Sequence, residues 1–402
     1  MSARVAAPSR LPSRPAGIRR SSRYLSELES LRGLAIALVA AFHLDLSVMA
    51  RLFQPPDEAT SLAASYVRAG HTGVSLFFIL SGFLLGGEFL AEMAGGPKVS
   101  RRDYFARRAL RILPLYYAAV ALSALGAARR PADVLHAVPY LVFLNAFERF
   151  AAPLGSFSAV WWSLATEAQF YVLLPVLAWS LRPGNRRIGI ALLASYALAY
   201  AIYVFGVVRP AELHSQVLLT ISLFGQAPLF LLGWCAAWLH RRKGERLRER
   251  LAGAPWARNG GADLTLLMLL LALGFLLRWT LRLGPFRETS PFAAWHVPEG
   301  ILWTCILLLV LLAPLRSKPV LCNRVLGGLG VISYALYLTH VPLIGWVLAA
   351  LRGIRPGVLV GWSWRTAMVA LGISALCLAA SWAIHHLIER PFLLRKARID
   401  SA

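Results

Sequence analysis

Apolar runs of about twenty residues recur along the chain, near 28–49, 73–93, 107–126, 161–181, 188–208, 217–239, 263–281, 299–315, 327–350 and 362–388. Each is long enough for a helix to cross a bilayer, and polar, arginine-rich connections separate them. The pattern predicts an all-α, polytopic membrane bundle of about ten transmembrane helices. A shorter run, Val134 to Phe147, is broken by Pro139 and reads as a re-entrant or interfacial helix between the third and fourth spans. Residues 1–23 are rich in Arg, Ser, Pro and Ala without an apolar core. They read as a disordered basic cytoplasmic tail rather than a secretory signal. Residues 24–395 form the membrane domain, and 396–402 a short second tail.

Charge fixes the expected sidedness. The chain of 402 residues holds 42 Lys and Arg and a net charge of +23, which in a soluble protein would suggest nucleic acid. Only 15% of residues are charged, however, and 58% are hydrophobic, where a soluble domain would carry about a quarter charged residues. The cations follow topology instead: 29 lie in segments 1–30, 94–111, 182–187, 240–258, 316–324 and 389–402, against 10 in the alternate connections. The positive-inside rule then places both termini in the cytoplasm. The surrounding partner is membrane lipid, and no nucleic acid is called for. Cys235, Cys305, Cys322 and Cys377 show no paired spacing, so neither a disulfide framework nor a metal site is indicated. The connections are short, so any chemistry belongs among the helices.

The first span, SLRGLAIALVAAFHL, carries Arg32 and His43 eleven residues apart. On a helix that is about 16 Å and close to three full turns, so both side chains share one face. Ionisable groups facing lipid are costly, and inside a bundle they are functional candidates; the alternative is that Arg32 marks a boundary and His43 snorkels. Arg68 and His71 fall at the expected outer mouth, as a solvated loop or as acceptor-binding groups. YFARRALRILPLYY places Arg107, Arg108 and Arg111 at the cytoplasmic end of the third span, as topogenic charges or as a docking patch for phosphate. WWSLATEAQFYVLLP buries Glu167 within the fourth span, where it needs a proton or a cationic partner. SYALYLTHVP sets Tyr334, Tyr337 and His340 on one stripe. The last span ends HHLIERPF, where Glu389 and Arg390 read as a helix cap. The glycines of GVSLFFILSGFLLGG read as close helix contacts.

Taken together and in this order, these segments resemble the acyltransferase-3 family of integral membrane O-acyltransferases over about residues 24–395. The resemblance implies a ten-helix enzyme of the plasma (inner) membrane that takes an acyl group from acyl-CoA, usually acetyl-CoA, as co-substrate with no tightly bound cofactor. The acceptor is a hydroxyl, most often on a sugar of the bacterial cell envelope and in some members on a glycosylated small molecule. The family's paired Arg and His fall on Arg32 and His43, its arginine cluster on Arg108 and Arg111, and its acidic residue on Glu167. Two positions depart: Ala168 stands where many relatives have a second Glu, and Ser75 where many have Asp. Many relatives also carry an appended esterase-like domain, which is not read in these residues.

On this reading His43 is the base or the acyl carrier, since an imidazole titrates near neutral pH. Arg32, Arg108 and Arg111 hold the donor, and Glu167 orients His43 or stabilises its charged form. Tyr337 and His340, with Arg68 and His71, contribute to the acceptor site. The competing reading is a transporter whose buried His, Glu and Arg form a relay; the lack of half-to-half symmetry argues against it.

Overall fold

A computed structural model describes residues 19–48, 61–127, 130–145, 160–207, 219–283, 294–354 and 364–401, and among them every regular element is helical. Ten main helices fall on the ten apolar runs. They are α1 (Arg19–Val48), α2 (Thr72–Met93), α3 (Arg101–Ala127), α4 (Trp162–Ser180) and α5 (Arg186–Ile202), followed by α6 (Leu223–Gly253), α7 (Ala262–Leu283), α8 (His296–Leu312), α9 (Ser333–Ile354) and α10 (Trp364–Ile384). Eight of them are long and apolar enough to cross a membrane, among the described residues. The other two pack into the same bundle. α4 has the length but less apolarity, and α8 is apolar but has only 17 residues. The outward surface is oily, with Leu122 72%, Leu387 77% and Phe205 81% exposed, as a protein solvated by lipid requires.

Side-chain contacts give the helix directions. Gly70, just before α2, lies on the Leu38 carbonyl and Gly73 on the Ala35 carbonyl, so α1 and α2 run antiparallel. Gly82 meets Phe230 and Gly86 meets Trp234, so α2 and α6 run parallel. Arg32 meets Ser333 and His43 meets His340, so α1 and α9 run parallel. Helices of like parity point the same way, as an up-and-down count of ten demands. Two glycines make the α2–α6 seam: a Cβ on Gly82 would strike the backbone of Phe230, and one on Gly233 that of Ile79. Gly87 of the same run touches nothing within 4 Å and has no such part.

Several boundaries differ from the sequence expectation. The ninth run is two helices, Arg324–Val331 and α9, joined by a turn at Ile332. The shorter piece folds onto the start of α1, where Gly33 abuts the Leu326 carbonyl and Gly330 the Glu29 carbonyl. An unbroken apolar stretch hides such a reversal, because periodicity registers length and not direction. The interfacial piece forms a 3₁₀ turn, Pro131–Ala137, and a short helix, Val138–Leu141. It is held on α3 by Tyr116 and Tyr117, which donate to the carbonyls of Tyr140 (3.1 Å) and Leu141 (3.0 Å). Its end at 146–147 lies outside the described residues. So do residues 1–18 of the expected tail and much of the connections 50–72, 127–160 and 282–298; residues 19–23 belong to α1. At the other terminus the helix continues through a π turn, His385–Glu389, into Arg390–Ser401. Glu389 is 3% exposed and accepts from Nδ1 of His385 at 2.9 Å. It is therefore a buried side chain in mid-helix rather than an end cap.

Candidate active site

The shared face of α1 is turned toward α9. Arg32 donates to the Ser333 hydroxyl at 3.1 Å, and three helical turns further on His43 meets His340 at 3.2 Å. Neither side chain faces lipid, which the eleven-residue spacing required of a functional pair.

Hydrogen bonding settles which nitrogens of the two rings carry hydrogen. Nδ1 of His340 lies 2.8 Å from the Leu336 carbonyl and Nδ1 of His43 lies 2.9 Å from the Val39 carbonyl. A carbonyl only accepts, so both Nδ1 atoms are donors. Nε2 of neutral His340 then carries a lone pair, which shares the Nδ1–H of His43. The free lone pair of His43 is thereby placed on its Nε2, the atom able to take a proton. His340 is fully buried and His43 half-buried.

A cavity of about 420 Å³ opens among α1, α2, α3, α4 and α9. Arg32, Arg108, Arg111, Glu167 and Tyr337 all line it. Arg111 enters it from α3 and has no carboxylate partner among the described residues. Arg108 lies over the rings of Tyr104 and Tyr171, 5.6 and 6.0 Å from their centroids, and donates to Glu88 at 2.9 Å. Arg107, one position earlier, donates to the other oxygen of Glu88 at 2.8 Å. Glu167 accepts from the Ser81 hydroxyl. It shares the cavity lining with the three arginines. The hydrogen bonds of the His43 ring among the described residues go to the Val39 carbonyl and to His340, and Glu167 is not one of these partners.

The histidines stand just beyond this cavity. Tyr337 closes its far side, with its hydroxyl donating to the Val160 carbonyl (2.6 Å) and bonded to Ser163 (2.5 Å). Tyr337 and His340 are one turn apart on α9, ring centroids 6.0 Å apart, and the His340 and His43 centroids are 5.0 Å apart. Tyr337, His340 and His43 therefore form a row of rings leading from the cavity wall, and neither histidine lines the cavity itself. His71 packs edge-on against Phe42 of α1 (5.7 Å) and Trp295 (5.0 Å), and its buried Nε2 has no partner. Arg68 ends the short helix Leu62–Arg68, outside the cavity lining. Of the four residues assigned to acceptor binding, Tyr337 alone reaches the cavity.

Three carboxylates escaped the sequence reading of the site. Glu88 sits at the cavity's edge. Glu389 is buried against His385 of its own helix. Glu299 of α8, fully buried, accepts from Thr72 at 2.7 Å, and Thr72 in turn accepts from the indole of Trp303 at 2.7 Å. Ser75 lies one turn from Thr72 on α2 and is buried near the same carboxyl, so Glu299 of α8 stands close to the α2 position where many relatives were expected to carry Asp. Glu88 and Glu299 stand near the ends of apolar runs, where a charged residue is ordinarily a boundary marker. That is why their inward orientation was not legible.

The family profile described as an acyltransferase domain matches residues 25–386. A peptidoglycan O-acetyltransferase of Listeria monocytogenes is 22% identical over 368 residues, 85% of this chain and 52% of that protein. A protein of Bacillus subtilis whose provisional name is peptidoglycan O-acetyltransferase is 26% identical over 169 residues, 38% of this chain and 24% of that protein. One of Staphylococcus aureus, provisionally named an O-acetyltransferase, is 27% identical over 173 residues, 39% of this chain and 25% of that protein. The chain spans about half the length of the first of these relatives and about a quarter of the others. No solved structure matches it.

Proposed function

This chain belongs to the acyltransferase-3 family as a multi-pass membrane protein, and from that membership and the site's geometry we propose that it transfers an acetyl group from acetyl-CoA to a hydroxyl. The acceptor is a carbohydrate or a glycosylated molecule of the cell envelope, a class supported by the likeness to peptidoglycan O-acetyltransferases. The donor is a co-substrate that enters from the cytoplasm of the plasma membrane, with both termini on the same side.

The observation that carries the proposal is the single free lone pair on His43, held inward by His340 on the helix whose Tyr337 bounds the arginine-lined cavity. Acyl-CoA separates its phosphates from its thioester by a long flexible arm. A chain of helices that sets arginines about 16 Å from the base suits such a molecule. Arg111 and Arg32 offer guanidinium forks for phosphate oxygens. His43 Nε2 takes the proton of the acceptor hydroxyl as its oxygen attacks the thioester carbonyl carbon. The tetrahedral intermediate collapses with rupture of the C–S bond, and the leaving thiolate recovers the proton from the imidazolium. One ester and one thiol result, and the enzyme returns unchanged.

Purified protein in liposomes, supplied with radiolabelled acetyl-CoA and a glycan acceptor, should transfer label to the glycan. A preparation that inserts and folds but consumes no acetyl-CoA with any hydroxylated acceptor overturns the proposal. Reporter fusions at both ends test the sidedness.

A further inference from the structure

Glu88 lines the cavity beside Arg108. Its two oxygens accept from Nη2 of Arg107 at 2.8 Å and Nη2 of Arg108 at 2.9 Å. The two arginine side chains are 15% and 14% exposed, the glutamate 34%. Glu88 and Arg108 both line the cavity, and the Nη2 of Arg108 that an incoming anion would use is engaged by the carboxylate. Arg108 keeps a buried Nε–H without a partner behind this contact, so its hydrogen-bonding capacity is not exhausted by the glutamate.

A carboxylate and a phosphate compete for the same arginine geometry, two parallel N–H donors to two oxygens. They differ in charge. A carboxylate carries one negative charge, whereas a phosphate monoester carries about 1.5 to 2 and has a third oxygen to offer. A partly exposed ion pair is weak, so a group of higher charge can displace Glu88. We infer that Glu88 holds the arginine position that a phosphate of the donor takes, so that the carboxylate and the donor's phosphate compete for the same guanidinium forks. This rests on the acyl-CoA reading above.

The test uses the full chain in liposomes with two donors, acetyl-CoA and acetyl-pantetheine, which has the same thioester but no phosphate. In Glu88→Gln the amide no longer opposes the incoming phosphate. The preference for acetyl-CoA over acetyl-pantetheine, as a ratio of kcat/KM, should rise by up to about fivefold. A general loosening of the bundle moves both donors alike and leaves the ratio where it was. Glu88→Asp, which keeps the charge and withdraws it by one methylene, should shift the ratio the same way by less. An unchanged or lower ratio in both variants, with wild-type protein active on acetyl-CoA, overturns the role of Glu88. Inactive wild-type protein overturns the acyl-CoA reading itself.

Discussion

Nε2 of His340 lies 3.2 Å from Nδ1 of His43, across 297 residues of sequence. The contact leaves one nitrogen of His43 free, and it couples the two rings so that each depends on the other for its orientation. His43→Ala should lower acetyl transfer by at least about 100-fold, the lower end of what a positioned base contributes, with normal accumulation in the membrane. His340→Ala should lower kcat about tenfold or more with little effect on the KM for acetyl-CoA, because it disturbs the base and not the donor. Full activity in His43→Ala would remove the base from the mechanism.

The cationic lining makes a separate prediction about the donor. A hydrogen bond to a charged group is worth about 1.5–3 kcal/mol, so Arg111→Ala or Arg32→Ala should raise the KM for acetyl-CoA by roughly ten- to a hundredfold. Arg108→Ala should cost less, since in the empty protein that guanidinium is already engaged by Glu88. Titration of each variant with acetyl-CoA settles the order. Unchanged KM in both Arg108→Ala and Arg111→Ala would end the docking proposal.

Glycine seams should be sensitive in proportion to what a side chain would meet. Gly82→Leu and Gly233→Val drive carbon into the backbone of the opposing helix, while Gly87→Ala enters open space. The first two should fail to yield monodisperse protein on fluorescence-detected size exclusion, and Gly87→Ala should elute and melt like wild type. Equal behaviour of all three would mean that the α2–α6 contact is looser than described.

Glu299 holds the α2–α8 junction through Thr72 and Trp303. Glu299→Ala strands the buried Thr72 hydroxyl and should destabilise the fold by about 1–3 kcal/mol. Glu299→Gln keeps an acceptor for Thr72 and should lose less than half of that. Thermal melts in detergent compare the two. A Gln variant as unstable as the Ala variant would show that the carboxyl itself, and not its hydrogen bond, is what the junction needs.

The architecture was readable because bilayer thickness and helix rise leave few choices. Length alone located the ten helices, and the three-turn spacing put Arg32 and His43 on one face. Arg32, Arg108, Arg111, Glu167 and Tyr337, named from five separate segments, share a cavity. What local pattern could not show was pairing at a distance. The His43–His340 contact, the placing of Glu167 beside Ser81, and the pairing of Arg108 with Glu88 each join residues on different helices. The reversal at Ile332 was equally hidden, since the residues on both sides of it are apolar.

α4 is the least oily of the helices that bear the site: Ser163, Thr166, Glu167 and Gln169 interrupt its first turns, and it alone has the span length without the apolarity. Its polar atoms find partners on other elements, Ser163 on α9, Thr166 at the Ile221 carbonyl before α6, Glu167 on α2 and Gln169 at the Phe143 carbonyl. A segment of this kind, handed by itself to the insertion machinery during synthesis, is poorly retained. Two of those partners, Ile221 before α6 and Tyr337 of α9, are made later than α4, and the cavity is lined in full only once α9 has been synthesised. Truncation after α5 should therefore leave the Glu167 segment accessible to water-borne labelling reagents, although every residue of that segment has already been synthesised.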